Sequence, residues 1–187
     1  MAYTIFISED KLKSSTAIQQ NVDVDFLLPF VVEAQKLFIE TRLGTDLTQK
    51  LKDEIVAGTL AGAYKTLVDT YIGDCLPGFS FYQAFPYLRF KVENGNIYSK
   101  TSETGNALST EEAQHMREEI MNTAEYYSQR MIDYIRNNIG SFPEYNTNSG
   151  ADVKPTTDNY YAGINTESVN QQGTKLTLQN FLTADLS

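Results

Sequence analysis

The sequence has no tryptophan, one cysteine and one histidine, and these shortages exclude several classes of protein. The single cysteine, Cys75, cannot form an intrachain disulfide or supply a cysteine-rich zinc site, and it favours a reducing compartment. A compact chain of 187 residues needs neither support, since folding already buries roughly 70% of the unfolded surface in domains of about 150 residues. We therefore expect one main globular domain around an apolar core, with Cys75 as a small core residue.

Basic residues are scarce as well. The chain has 15 lysines and arginines against 24 aspartates and glutamates, which gives a net charge of −9 and a pI near 4.6. This sign disfavours broad contact with nucleic-acid phosphates. No apolar run reaches the roughly 20 residues of a membrane span, and residues 1–10 lack the pattern of a secretory signal. We expect neither membrane association nor export.

Motifs for nucleotide binding and nucleophilic catalysis are missing from the sequence. No Gly-x-Gly-x-x-Gly, Gly-x-x-x-x-Gly-Lys or Gly-x-Ser-x-Gly run occurs. The acidic pairs Glu111-Glu112 and Glu118-Glu119 point to different sides of a helix, which is typical of a solvated face. We predict a protein that is not an enzyme and that takes no cofactor.

Amphipathic helix signals dominate the first half of the chain. Ser8 is placed to cap a short turn over residues 9–13. A strong helical pattern begins near Asp23 or Asp25 and ends at Gly44, and its expected inward residues are Phe26, Phe30, Ala34, Leu37, Phe38 and Thr41. Thr45 is expected to cap the next helix, which ends at Gly58 and turns inward Leu47, Leu51 and Ile55.

The next helix is expected over residues 62–72, and Gly73-Asp74 is expected to break it before another over residues 75–85. From Tyr87 the period shifts to two, and Asn94-Gly95 is a favoured tight-turn dipeptide. We predict a β-hairpin near residues 87–100. Its Arg89 and Lys91, set between aromatic residues, would also suit single-stranded nucleic acid. The acidic net charge favours the interpretation as an amphipathic strand.

The longest helix is expected to start at a capping box formed by Ser109 and Glu112 and to end near residues 138–140. Its apolar stripe comprises Ala113, Met116, Ile120, Ala124, Tyr127, Met131 and Ile135. From Ser141 the composition becomes too polar to close a core. We predict a mainly α fold, a bundle of four to five helices with one small β-hairpin over residues 1–140. An extended polar C-terminal arm is expected over residues 141–187.

One pair of residues has the spacing of a metal site. Glu112 and His115 lie three residues apart on the expected helix, as in carboxylate-bridged di-iron bundles. Because the chain has one histidine, only a symmetric dimer could complete such a site, with Glu33 or Glu40 as further ligands. The capping box explains Glu112 more simply, so we predict no metal site.

Three motifs follow one another in an order that resembles a known family. They are Asp25-Phe26-Leu27-Leu28-Pro29 leading to Ala34-Gln35, then Arg42-Leu43-Gly44-Thr45-Asp46-Leu47, then Phe85-Pro86-Tyr87. In this order they resemble the head–tail connector proteins of tailed bacteriophages, also called adaptor or neck-ring proteins. The resemblance is strongest to those of phages that infect Bacteroidetes, including the crAss-like group, and it covers roughly residues 5–138.

The resemblance implies a structural virion protein. Such a protein forms a ring, typically a dodecamer, at the phage neck, joins the portal vertex to the tail and lets DNA pass through its lumen without specific binding. The implied partners are further copies of the chain, the portal protein and other neck or tail proteins. The implied location is the virion, and the host cytoplasm during assembly. An acidic lumen would keep the exiting duplex from adhering to the wall.

The candidate interface residues lie in the arm and in the hairpin. The arm is too polar to fold alone, and could order on the portal or on a neighbouring subunit by adding a strand to a sheet edge. Its expected contact residues are Tyr160, Tyr161, Leu176, Leu178, Phe181 and Leu182. Ring contacts require two different sides of a subunit, and Arg89 and Lys91 are candidates for one side. A hairpin folded on its own core explains the pattern equally well.

Two other function classes stay open at this point. One is another virion or host scaffolding module built from the same helices, which differs from a neck ring in stoichiometry and symmetry. The other is a dimeric di-iron helical-bundle protein, which would contain iron that is lost when His115 is replaced by alanine.

Overall fold

A computed structural model of the chain describes residues 3–18, 21–93, 96–99, 109–147, 149–150 and 153–155, with only the backbone described for 89–93 and 96–99. The chain divides into two compact units, Met1–Thr157 and Asp158–Ser187, and every described residue belongs to the first. The expected boundary at residue 140 therefore falls too early. Residues 141–155 belong to the helical unit because Phe142 and Tyr145 are buried in its core.

The described part of the chain is mainly α, as predicted. Its helices are α1 (Glu9–Ser15), α2 (Val24–Ala34), α3 (Thr41–Leu43), α4 (Thr45–Ala57), α5 (Gly62–Thr66), α6 (Gly73–Arg89), α7 (Thr110–Asn137) and α8 (Pro143–Asn146). Two π-helical segments, π1 (Gln35–Glu40) and π2 (Leu67–Ile72), join α2 to α3 and α5 to α6 without a break, and a 3-10 turn covers Ile139–Ser141.

Three of these helices begin at a serine or aspartate whose side chain caps the helix N-terminus. Ser8 accepts a hydrogen bond from the Lys11 N–H at 3.2 Å, and Asp23 accepts one from the Asp25 N–H at 3.0 Å. Ser109 and Glu112 form the complete capping box that the sequence predicts. Each cap satisfies a backbone N–H that lacks a partner inside its helix.

The inward face predicted for residues 24–43 is wrong in part. The residues buried on this stretch are Leu27, Val31, Ala34, Gln35, Ile39, Arg42 and Leu43, whereas Phe26 and Leu37 are exposed. The prediction assumed a uniform period of 3.6 residues. The π-helical turns of π1 shift the face by an extra residue per turn, so residues before and after π1 follow different registers.

The break expected at Gly73-Asp74 is also wrong. Gly73 has helical dihedral angles, with φ of −60°, and α6 continues from π2 to Arg89. The strand expected from Tyr87 therefore begins later, at Phe90. Phe90–Glu93 (β1) pairs antiparallel with Asn96–Ser99 (β2), with Lys91 opposite Tyr98. The turn residues Asn94-Gly95 lie outside the described residues.

The core lies where α6 crosses both α2 and α7. Phe38 stacks on Phe79 with ring centroids 4.4 Å apart, and Tyr71 stacks on Tyr134 at 4.1 Å. The completely buried side chains include Ile39, Leu43, Leu47, Leu51, Leu67, Ile72, Cys75, Leu76, Phe79, Met131, Ile135 and Phe142. Cys75 is confirmed as a core residue. On α7 the predicted stripe holds for Ala113, Ala124, Met131 and Ile135, but Met116 is exposed.

Candidate interaction site

Three aromatic rings meet where the start of α2 approaches the end of α6. The Phe26 and Phe30 ring centroids are 5.6 Å apart in an edge-to-face arrangement, and the Phe30 and Tyr87 centroids are 4.9 Å apart. Phe26 is 41% exposed and Tyr87 is 49% exposed. We call these three residues the aromatic patch. It arises because Phe26 and Phe30 are one helical turn apart and α6 continues as a helix through Tyr87.

A polar groove of about 280 Å³ runs between π1 and α4. Tyr3 and Val56 are exposed at its rim, and the Lys36 ammonium lies 4.8 Å from the centre of the Tyr3 ring. Inside it, Lys52 donates to the Glu40 carboxylate at 2.6 Å. The groove continues past Thr45 to Val153. Two of its charged groups, Lys52 and Glu40, are therefore paired with each other.

Gln35 ties the N-terminal segment to the wall of this groove. Its side-chain oxygen accepts from the Phe6 N–H at 3.0 Å, and its amide nitrogen donates to the Thr4 carbonyl at 3.1 Å. The carboxamide thus satisfies the same pair of groups that a neighbouring β-strand would. Gln35 is itself buried. The Ala34-Gln35 motif marks this residue in the sequence, but the sequence gives no sign of its partner.

Gly44 separates α3 from α4, and together with the first two residues of α4, Thr45 and Asp46, it forms what we call the corner. Gly44 has φ of +78°, a conformation that L side chains rarely adopt, and it occupies the N-cap position expected for Thr45. A Cβ atom at Gly44 would lie only 2.7 Å from Pro155. Glycine is therefore required here both by the dihedral angle and by the close approach of the chain.

A later segment of the chain is fastened across this corner. We call it the strap and define it as Thr147, Ser149, Gly150 and residues 153–155. The Thr45 N–H donates to the Val153 carbonyl at 3.0 Å, and the Val153 N–H donates to the Thr45 hydroxyl at 3.0 Å. The corner therefore makes a two-way hydrogen-bond contact with the strap.

Asp46 supplies the remaining contacts to the strap. Its carboxylate accepts from the Ser149 hydroxyl at 2.6 Å and from the Ser149 N–H at 2.9 Å, with the Thr147 hydroxyl at 3.5 Å. The hydrogen bond from the Ser149 hydroxyl, followed by that from its N–H, lowers the pKa of Asp46. Asp46 belongs to the second sequence motif, but its strap partners Thr147 and Ser149 lie 101 and 103 positions away and were not predicted.

Most of the predicted interface residues fall outside the described part of the chain: Tyr160, Tyr161, Leu176, Leu178, Phe181 and Leu182. Arg89 is the last residue of α6 rather than a strand residue, and Lys91 lies in β1. The expectation that both residues lie on one hairpin strand is therefore wrong for Arg89. The aromatic patch was not predicted as a site, and Phe26 and Phe30 were instead expected to face inward.

The structure also describes Glu112 and His115, the pair considered as metal ligands. The Glu112 carboxylate accepts the Ser109 N–H at 2.8 Å, and that bond lowers the pKa of Glu112. His115 is exposed on α7. Within the described ranges, no three His, Cys, Asp or Glu residues are grouped to hold a metal ion. The same ranges contain no helix long and apolar enough to span a bilayer.

Comparison with known proteins places the helical unit in a family. The profile of a family of unknown function, DUF6712, matches residues 39–155, more than half of the chain. The chain belongs to this family. The DUF6712 region starts within π1 and ends at Pro155, so it includes both the corner and the strap. No curated protein and no solved structure matches the chain.

Proposed function

We propose that this DUF6712 protein is a structural subunit of a phage virion, which forms a ring at the neck between the portal vertex and the tail. In this proposal DNA passes through the ring lumen without specific binding, and the protein has no enzymatic activity. The order of motifs from Asp25 to Tyr87 supports it, as does the acidic net charge. The structural observation that best supports the proposal is the aromatic patch.

The aromatic patch has the chemistry of a protein interface. Aromatic side chains are enriched at the centres of interfaces, and a few of them carry most of the binding free energy. Phe26 and Tyr87 are exposed, yet each stands against Phe30 in a fixed geometry. A neighbour that covers them would gain apolar burial while losing little side-chain entropy. The patch is therefore suited to contact another subunit.

A ring also requires a second, different surface on each subunit, because its contacts are heterologous. Our proposal for this side is the segment that follows α6, which includes Arg89, Lys91 and the expected hairpin. Docking on the portal is assigned to the C-terminal segment that contains Leu176, Leu178, Phe181 and Leu182. The acidic residues are proposed to line the lumen, where they would repel the duplex.

Native mass measurement across a concentration series, with electron microscopy of each species, tests the ring. We expect closed rings for the unchanged chain, with about twelve subunits as the resemblance to connector proteins implies. The double variant Phe26→Ser, Tyr87→Ser should stay monomeric with unchanged helicity. Tyr126→Ser is the matched control, because Tyr126 is an exposed aromatic residue on α7. Rings that form equally well in both variants would contradict the role of the patch.

A truncation separates portal docking from ring formation. Deleting residues 171–187 should abolish binding to the portal or to a neighbour and leave the circular dichroism of the helical unit unchanged. Unchanged binding would rule out the C-terminal segment as the docking element. A dimer that contains iron, lost in His115→Ala, would instead favour the di-iron alternative.

A further inference from the structure

The chain after α7 is held to the helical unit in two different ways. Phe142 and Tyr145 are buried, with the Phe142 ring 5.4 Å from Tyr64 and 5.8 Å from Tyr134. The strap that follows is held by hydrogen bonds to Thr45 and Asp46, and these bonds are exposed. A segment held by buried aromatic side chains is thus followed by one held by exposed hydrogen bonds.

The buried Phe142 and the hydrogen-bonded strap differ in the free energy needed to detach them from the helical unit. Removing Phe142 from the core would expose a large apolar side chain and disrupt its neighbours, so it is coupled to unfolding of the unit. Exposed hydrogen bonds exchange with water at small net cost. Segments with few buried apolar contacts and exposed hydrogen bonds open locally while the core stays folded. The strap meets both conditions from Thr147 onward.

The corner is shaped to accept the strap. Gly44 leaves room for Pro155 at a distance that no side chain would allow, and Asp46 presents both carboxylate oxygens to Ser149. The strap also contributes to one end of the groove, which Val153 lines together with Thr45 and Lys52. Releasing the strap would remove Val153 from the groove lining and free the Thr45 N–H, the Thr45 hydroxyl and the Asp46 carboxylate.

We propose that the strap is releasable: it detaches from the corner while α7 and the buried Phe142 stay folded, and its position decides whether Val153 lines the groove. This device goes beyond ring formation and does not depend on it. On the corner side, the strap is bound by Asp46 and Thr45. Ser149 and the Val153 backbone hold it on the strap side.

Amide hydrogen exchange of the full chain near neutral pH tests whether the strap opens locally. In the unchanged protein the Ser149 and Val153 amides should exchange faster than the amides of Leu51 and Ile135, which lie inside α4 and α7, because the strap opens without global unfolding. Asp46→Ala removes the acceptor of both Ser149 bonds. It should speed exchange at Ser149 and Val153 by about tenfold or more, with exchange at Ile135 unchanged.

A second variant acts from the strap side and leaves α4 untouched. Val153→Pro removes the N–H that donates to Thr45 and should speed exchange at Ser149 to a similar extent. Asp133→Ala is the matched control for Asp46→Ala, because Asp133 accepts an exposed hydrogen bond from Gln129 on α7. The proposal is overturned if the strap amides of the unchanged protein exchange only at the rate of Ile135. It is also overturned if both variants leave Ser149 exchange unchanged.

Discussion

The Arg42 guanidinium and the Glu125 carboxylate form a nearly buried ion pair that joins α3 to α7. One guanidinium nitrogen lies 2.7 Å from each carboxylate oxygen, and the two side chains are only 9% and 13% exposed. Arg42 also donates to the Phe38 carbonyl at 2.7 Å and lies over the Phe79 ring at 5.3 Å. The residues that precede the corner are thereby fixed to the longest helix.

Removing one charge of this pair should destabilise the fold strongly. Glu125→Gln keeps the volume but leaves the Arg42 charge without its partner, and we expect a loss of about 3 kcal/mol in the free energy of unfolding. Urea denaturation measures it. Asp74→Asn is the control: Asp74 meets Lys11 at 3.6 Å with both side chains 38% exposed, so its loss should stay below about 1 kcal/mol. Equal losses in the two variants would contradict this assignment.

Replacing Gln35 should release the N-terminal segment from the groove. Gln35→Ala removes the partners of Phe6 and Thr4, and unsatisfied buried groups of this kind cost about 1–3 kcal/mol. We expect faster hydrogen exchange at Phe6 together with a lower unfolding free energy. Gln49→Ala removes only an exposed bond to Asp53 and serves as the control. Unchanged exchange at Phe6 would show that the carboxamide does not hold the segment.

Local signals predicted the ends of helices better than their faces. Ser8, Gly44 and Ser109 mark helix ends as expected because a cap depends on residues within one turn. The face after Ala34 was predicted wrongly because the π-helical turns of π1 shift the register and leave no mark in a pattern of period 3.6. Gly73 was predicted to break the helix because glycine is a weak helix former. Packing within the protein overrides this weak propensity.

The candidate site was predictable only in its separate parts. The sequence motifs contain Gln35, Arg42 and Asp46, but their partners Phe6, Glu125 and Ser149 are distant in the sequence. A single sequence offers no rule that pairs such residues. The side chains that close the corner therefore became apparent only in the structure.

A methyl group at Gly78 should destabilise the crossing of α6 and α7. A Cβ atom there would lie 2.9 Å from the Ala124 Cβ, so one helix must shift. Overpacking of this kind costs about 1–3 kcal/mol, and the better helix propensity of alanine returns at most about 1 kcal/mol. Gly78→Ala should therefore lower the melting temperature. Gly140→Ala, with open space around its Cβ, should leave it nearly unchanged, and Ala124→Gly should rescue Gly78→Ala.

The thiol of Cys75 should report unfolding of the core. Burial is the main cause that raises the pKa of Cys75 to about 12, against a smaller lowering by the Arg42 charge. Both the protonated state and the complete burial protect it from thiol reagents. We expect labelling of the native protein only at the rate at which the core opens, and Glu125→Gln should accelerate it in proportion to its loss of stability. Rapid labelling of the unchanged protein would show that α6 opens independently.

Acid should weaken the contact between Asp46 and the strap. The hydrogen bond from the Ser149 hydroxyl, and then that from its N–H, holds the pKa of Asp46 below its ordinary value of 3.8. Because the folded pKa is the lower one, this contribution to stability is present above the ordinary value and is lost as the pH falls through the folded pKa. The difference in urea midpoint between the unchanged protein and Asp46→Asn should therefore be largest near neutral pH and shrink in acid. A difference that does not change with pH would show that the ionised carboxylate is not what binds Ser149.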